Sequence, residues 1–279
     1  MPPKTILLSM NTPEAAQRLV GPAVELARRH GAHLVGVHVV EAVAIHADYV
    51  MVPPLAEIEH LEAAQSERAE KIEKIFKAAT EGEDFVSEWR FVQTRTVTAS
   101  DQIIEQARTA DLVIMAQENS TDAYSGGEVM LERTIRKSGR PVLVIPYLGE
   151  MKTVGSKVLV GWSATREAAR AAHDALPLIA PDGAAAIVTA RAADEQNHAM
   201  ATARELALVY DRHGVRAEVA ERITEGMAIG DILLNEAFER GADLIVTGAF
   251  GHSRIYDFVI GATTTKLLES MTVPVLFSS

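Results

Sequence analysis

Ala110-Asp111-Leu112-Val113-Ile114-Met115 and Ala242-Asp243-Leu244-Ile245-Val246-Thr247 are two versions of one phrase. In each, an Ala-Asp pair leads into a continuous apolar run, which is what a parallel strand buried on both faces needs. Two more blocks repeat around them in the same order. Lys4-Thr5-Ile6-Leu7-Leu8 precedes a turn and a helix near Pro13-Glu14, and Lys157-Val158-Leu159-Val160-Gly161 precedes one near Arg166-Glu167; Lys4 aligns with Lys157 and Glu14 with Glu167 without a gap. Arg140-Pro141-Val142-Leu143-Val144-Ile145 is mirrored by Val273-Pro274-Val275-Leu276-Phe277. Three matching blocks in one order read as an internal duplication. The junction falls near Tyr147 to Ser156, giving domains over 1–150 and 151–279. The length of 279 residues agrees, since about 150 residues per domain predicts roughly two.

Each half alternates strand and helix. In the first, strands are predicted near 4–9, 33–40, 85–92, 111–116 and 141–146, and helices near 14–29, 56–79, 99–109 and 128–138. Phe85, Trp89 and Phe91 share one parity with Glu88 and Arg90 opposite, which predicts a half-exposed edge strand with Trp89 packed in it. Ile58, Leu61, Ile72, Ile75 and Phe76 recur at helical spacing and predict a core-facing stripe. Glu67, Glu70, Lys71 and Lys74 mark the solvated side of the same helix. The excursion over 42–57 contains Pro53-Pro54 and reads as a surface loop, with a lid as the second reading. Parallel strands need right-handed crossovers, so the fold class is α/β: two tandem doubly wound five-stranded parallel sheets.

Composition narrows the function. Lys plus Arg number 27 against 38 Asp plus Glu, a net charge of −11. Such a chain has no general excess of cation with which to displace counterions, so neither nucleic acid nor an anionic membrane surface is an expected partner. The absence of cysteine excludes disulfides, thiolate metal sites and cysteine nucleophiles. No stretch approaches 18 apolar residues, and the short run ending near Leu8 is no signal-peptide core, so a cytoplasmic protein is expected.

In open parallel sheets ligands meet the carboxyl ends of strands at the topological switch point. The loop there in the second half reads Gly248-Ala249-Phe250-Gly251-His252-Ser253-Arg254 and resumes at Gly261-Ala262-Thr263-Thr264. Glycines let backbone N–H groups approach a phosphate, and the first turn of the next helix presents more. Thr263 and Thr264 add hydroxyls. The other reading is that a tight turn needs these glycines regardless of ligand. His252 reads first as a surface or capping residue and second as a phosphate contact.

The Gly-x-x-Gly, nine residues, Gly pattern resembles the phosphate and ribose loop of the universal stress protein family. Val160-Gly161-Trp162-Ser163-Ala164-Thr165-Arg166-Glu167-Ala168-Ala169 is similar to that family's first strand and turn, and Val273-Pro274-Val275-Leu276 to its last strand. The resemblance covers nearly the whole chain as two copies, and it implies Rossmann-like domains paired through their last strands, Val142–Ile145 against Val275–Phe277, as a pseudo-dimer. It also implies an adenine nucleotide such as ATP at Gly248, Gly251, His252, Gly261, Thr263 and Thr264. Ser163 would lie near the nucleoside, and the backbone around Ala190, in a loop Thr189-Ala190-Arg191, near the adenine. Some family members bind no nucleotide. A homodimer of whole chains and unidentified protein partners stay open.

The chain departs from the family pattern. An Asp of the nucleotide-binding members matches Met10 in the first half and Ser163 in the second. Ala262 replaces the usual hydroxyl residue after the third glycine. Ala116 and Asn119 stand where Gly248 and Gly251 do, and Gly126-Gly127 is displaced, so the first half reads as degenerate. Gly161-Trp162-Ser163 resembles a nucleophile elbow, but its second glycine is Thr165 and no partnering base is identifiable. The nine histidines have no ligand spacing; His33 and His38 face opposite sides of one strand, and His30 sits where a helix dipole favours a cation. Arg191 reads as a solvated charge. With no base, metal carboxylates or lysine-bearing phosphate loop, the expected function is non-catalytic: a nucleotide-responsive stress protein or, alternatively, a nucleotide-free interaction or small-ligand scaffold.

Overall fold

The computed structural model describes residues 1–42, 55–118, 127–149, 151, 153–193, 199–250 and 261–279. The first half runs β1 (Thr5–Ser9), α1 (Pro13–His30), β2 (His33–Glu41), α2 (Leu55–Thr80), β3 (Ser87–Thr94), α3 (Ala99–Ala107), β4 (Leu112–Ala116), α4 (Gly127–Lys137) and β5 (Val142–Ile145). The second runs β6 (Lys157–Gly161), α5 (Arg166–Ala175), β7 (Ala184–Arg191), α6 (Ala199–Arg212), β8 (Arg216–Ile223), α7 (Ile229–Arg240), β9 (Leu244–Gly248), α8 (Ala262–Ser270) and β10 (Val275–Ser278).

One sheet of ten strands results, in the order β3-β2-β1-β4-β5-β10-β9-β6-β7-β8. Every neighbouring pair is parallel except the central one, where β5 and β10 run antiparallel with Val142 opposite Phe277, Leu143 opposite Leu276 and Val144 opposite Val275. This is the seam expected from the resemblance. It gives each half's last strand a partner, so neither is left as an open edge. Helices cover both faces. One core packs α1, α2, α5 and α6 residues such as Leu19, Phe76, Ala171 and Tyr210 on the sheet; the other packs Ile103, Ile135, Leu233 and Leu267 from α3, α4, α7 and α8.

Local chemistry explains the boundaries. Thr12 caps α1 by accepting the Ala15 N–H, Pro13 opens the helix, and Gly31 closes it in the left-handed conformation at φ 56°, a stop that glycine adopts without strain. The Ala-Asp lead-ins prove to be clamps: Asp111 accepts the backbone N–H groups of Lys4 and Thr5, and Asp243 those of Gly155, Ser156 and Lys157. Arg29 on α1 donates to the carbonyls of Val154 and Leu178, joining the first half to the start of the second. Gly155 takes φ +98°, and a Cβ there would lie 2.0 Å from the Leu178 carbonyl oxygen; glycine alone fits.

Three expectations need adjustment. Leu61 is 44% exposed although Ile58, Ile72 and Phe76 on its stripe are buried, because it lies among the solvent-facing residues of the first turns of α2. The excursion over 42–57 ends earlier than expected, since α2 starts at Leu55; residues 43–54 lie outside those described. His30 ends α1, but burial first, and then the Arg29 and Lys4 charges, push its pKa below the usual imidazole value, which disfavours the cation a helix dipole would attract. The edge reading of β3 holds: Trp89 packs 5.8 Å from the Phe76 ring, while Phe91 is half exposed beside His38.

Candidate functional site

Two strand ends and a helix start frame the second-half site. β6 lies between β7 and β9, so its carboxyl end is the point where the chain's crossovers diverge. Beyond β6, Trp162 donates its backbone N–H to Val188, and its indole N–H donates to Thr202 Oγ1 at 3.0 Å, anchoring the turn to α6. Ser163 is exposed, with Oγ 3.2 Å from Thr165 Oγ1. Thr165 accepts the Ala168 N–H and caps α5. Among the described residues no imidazole or carboxylate is hydrogen-bonded to Ser163.

Strand register corrects the alignment of the two turns. Ser9 pairs with Val37 and Gly161 with Val188, and the next N–H in each case, from Met10 or Trp162, donates to the same partner's carbonyl. Met10 therefore corresponds to Trp162, and Asn11, not Met10, corresponds to Ser163. The helix caps Thr12 and Thr165 still match, so the second turn holds one extra residue, accommodated by Ala164 at φ 54°. Asn11 is a polar residue in the position of interest. Its Nδ2 donates to Glu118 Oε1 at 3.3 Å and lies 3.7 Å from Met130 Sδ.

The glycine loop divides by cause. Gly248 ends β9 against the start of α5: a Cβ there would lie 2.5 Å from the Ala168 nitrogen and 2.6 Å from the Glu167 carbonyl carbon. Packing alone therefore requires glycine at this position. Gly261 is different. It is the N-cap of α8 at φ −62°, gives the helix no side-chain cap, and among the described residues has nothing closer to an added Cβ than Thr264 Oγ1 at 3.9 Å. Thr264 is buried and Thr263 half-buried in the first turn. Gly251 and His252 lie outside the described residues. Phe250, at φ 64°, sits under the Arg136 guanidinium of α4 at 4.5 Å, so the first half braces the base of this loop. Gln117, just past β4, instead donates to the Leu268 carbonyl in the last turn of α8 at 2.7 Å, at the far end of that helix from Gly261.

Ala190 is placed differently from expectation. Thr189, Ala190 and Arg191 are the last residues of β7, not a loop, and Ala190 is half-buried opposite Arg222. Arg191 is not simply solvated: Nε donates to Glu221 Oε1 at 2.6 Å and Nη1 to the Ala192 and Ala193 carbonyls. The described structure thus brings Ser163, Gly248 and the start of α5 together, sets Ala190 at the end of the neighbouring strand, and gives no contact linking them to Gly261, Thr263 or Thr264. Sequence reasoning missed Trp162, whose signal was an aromatic donor next to the strand end.

The first half has a different lining. Counting back from β5 and β10, Met130 and Leu131 occupy the positions of Thr263 and Thr264, and both are buried. His38 is buried under Phe91, its Nδ1 donating to the Met10 carbonyl at 2.7 Å; burial pushes its pKa below the usual value. Neither of these two positions carries a hydroxyl. Among the described residues no group of three or more His, Cys, Asp or Glu could hold a metal, and no helix is long and apolar enough to cross a membrane.

Fold and site together define a class: a doubly wound α/β protein duplicated within one chain and closed by an antiparallel seam. The universal stress protein family model matches residues 3–146 and again 155–278, and the chain belongs to that family. It is 28% identical over 173 residues to universal stress protein Slr1230 of Synechocystis, a match covering 60% of this chain and 57% of that protein. A universal stress protein from Archaeoglobus fulgidus superposes with a TM-score of 0.71 at 17% identity, over 99% of this chain and 96% of that one. A putative universal stress protein from Pseudomonas aeruginosa gives 0.57 at 13% identity, over 99% and 93%. These last two likenesses establish the fold.

Proposed function

We propose that this chain is a non-catalytic, cytoplasmic, nucleotide-responsive stress protein whose second half, taken as 151–279, binds an adenine nucleotide such as ATP. The supporting observation is Gly261: an N-cap glycine whose added Cβ would meet nothing closer than 3.9 Å among the described residues, with Thr263 and Thr264 behind it, at the helix that follows β9. Backbone N–H groups at such an end attract phosphate even in a chain of charge −11, because the helix dipole and unpaired donors act locally. Ser163 would face the nucleoside, and the β7 end at Ala190 the base. The first half, taken as 1–150, would serve as a brace, with binding altering the loop whose base Arg136 supports, and so the surface offered to a partner or a second copy.

A second reading, a nucleotide-free scaffold, is favoured by Gly248, whose glycine is explained by packing alone. Mass spectrometry of ligand released from purified protein, with calorimetric titration of ATP, decides between them. Binding is expected, and Gly261→Val should abolish it while costing about 1 kcal/mol of stability through the poorer cap. No heat and no released nucleotide at millimolar ATP would leave the scaffold reading.

A further inference from the structure

The second half contains a cavity of about 370 Å³ far from the glycine loop, at the amino ends of β6, β7 and β8. That volume is in the range of small-molecule sites, about 300–1,000 Å³. Register defines its floor. Lys157, Ala184 and Arg216 are paired across the three strands, as are Leu159, Ala186 and Glu218 two residues on. Alternation puts both rows on one face, the face on which Leu159 and Ala186 share a core with Leu233 and Ala237 of α7. Arg240, the last residue of α7, closes the side.

The first half shows why the space exists. Its corresponding rows place His33 and Val35 where the second half has Ala184 and Ala186, and His33 lies 3.6 Å from Glu88. Two larger side chains have become methyl groups within the run Ala184-Ala185-Ala186, although alanine is a poor strand former.

The rim is cationic in an acidic protein. Arg240 is held by Glu236 and Glu218, so its charge is compensated. Lys157 and Arg216 are exposed at the mouth, and neither side chain has an ion-pair partner among the described residues. Asp243 nearby is occupied with backbone N–H groups. We propose that this cavity binds a small amphipathic carboxylate, its apolar body over Ala184, Ala186 and Leu159 and its carboxylate between Lys157 and Arg216. The proposal is independent of the nucleotide reading, since the two sites lie at opposite ends of the strands.

The test is calorimetric titration of the full chain with octanoate, with octylamine as the opposite-charge control. Octanoate is expected to bind and octylamine not to. Ala186→Leu should abolish octanoate binding by filling the floor; Ala184→Val, at the half-buried mouth, makes the same test where the first variant does not fold. Arg216→Gln should weaken binding about tenfold, and added salt should weaken it in the wild type. Absence of octanoate binding at millimolar concentration, equal binding of octylamine, or binding unchanged in a folded Ala186→Leu or Ala184→Val variant would each overturn the proposal.

Discussion

Asp243 and Lys157 hold each other twice: the Asp243 carboxylate accepts the Lys157 N–H at 2.9 Å, and the Lys157 carbonyl accepts the Asp243 N–H at 2.9 Å. The same carboxylate takes the N–H groups of Gly155 and Ser156, so one side chain fixes how the linker enters the second half. Asp243→Ala strands three donors and should cost about 2–3 kcal/mol, given 1–3 per poorly satisfied group and partial rescue by water. Asp111→Ala removes an acceptor of two and should cost less. Urea midpoints measure both; an Asp243→Ala midpoint equal to the wild type would contradict the clamp.

That clamp also shows which features could be read in the sequence. The Ala-Asp phrase was visible because strand entry and acceptor are adjacent in the chain, and both faces of β4 and β9 are buried, so the apolar run is unbroken. The repeat of Val142–Ile145 as Val275–Phe277 was visible, but their pairing as a seam was implied only by the resemblance to the family. The turn after β6 was not visible: an ungapped alignment satisfied the helix caps and hid the extra residue. The caps Thr12 and Thr165 fix the helix frame, while Ile6 and Val158 fix a strand frame one residue different. The Trp162–Thr202 bond and the role of Gly248 depend on helices distant in sequence, and no local pattern encodes them.

Gly248 and Gly261 should respond oppositely to one substitution. Gly248→Ser drives a Cβ into the backbone of Glu167 and Ala168, which cannot rotate away, and should cost about 1–3 kcal/mol as an overpacked contact. Gly261→Ser meets no described atom closer than 3.9 Å and supplies a better N-cap, so stability should change by only about a few tenths of a kcal/mol. Thermal denaturation of the two variants compares them directly. Similar losses in both would mean that Gly261 is packed as tightly as Gly248.

Ala164 is a non-glycine residue at φ 54° in the longer turn. The left-handed conformation costs an L-residue about 1–2 kcal/mol, and glycine gives back about 0.5–1 of that through unfolded-chain entropy. Ala164→Gly should therefore raise stability by about 0.5–1 kcal/mol while leaving the cap at Thr165 intact. A destabilised variant would show that the Ala164 methyl makes a contact outweighing its strain.

His38 links stability to pH. Its pKa is lowered in the fold chiefly by burial, with the Arg68 charge on α2 adding to this and the hydrogen bond to Met10 opposing it; Phe91 of β3 covers the ring. A lowered folded pKa means that protons bind the unfolded chain more readily. The contribution is complete above the unfolded value of about 6.5 and is lost as pH falls through the folded one. His30 shifts in the same direction. The urea midpoint should fall between about pH 7 and 5, less steeply in His38→Gln. Identical slopes for wild type and variant would remove His38 from the acid response.

The seam should make the two halves unfold as one. Leu143 and Leu276 face each other across β5 and β10, both fully buried, and Ser279 Oγ donates to the Ile135 carbonyl across the same line at 2.9 Å. Leu276→Ala should cost about 2–5 kcal/mol, the usual range for a buried leucine. Because its neighbours belong to both halves, the loss should fall on the whole chain rather than on the second half alone. Fluorescence separates the two: Trp89 reports the first half and Trp162 the second. With each tryptophan retained singly, the Leu276→Ala midpoint should shift equally under both probes. A shift confined to Trp162 would mean that the halves are joined at the seam without being coupled by it.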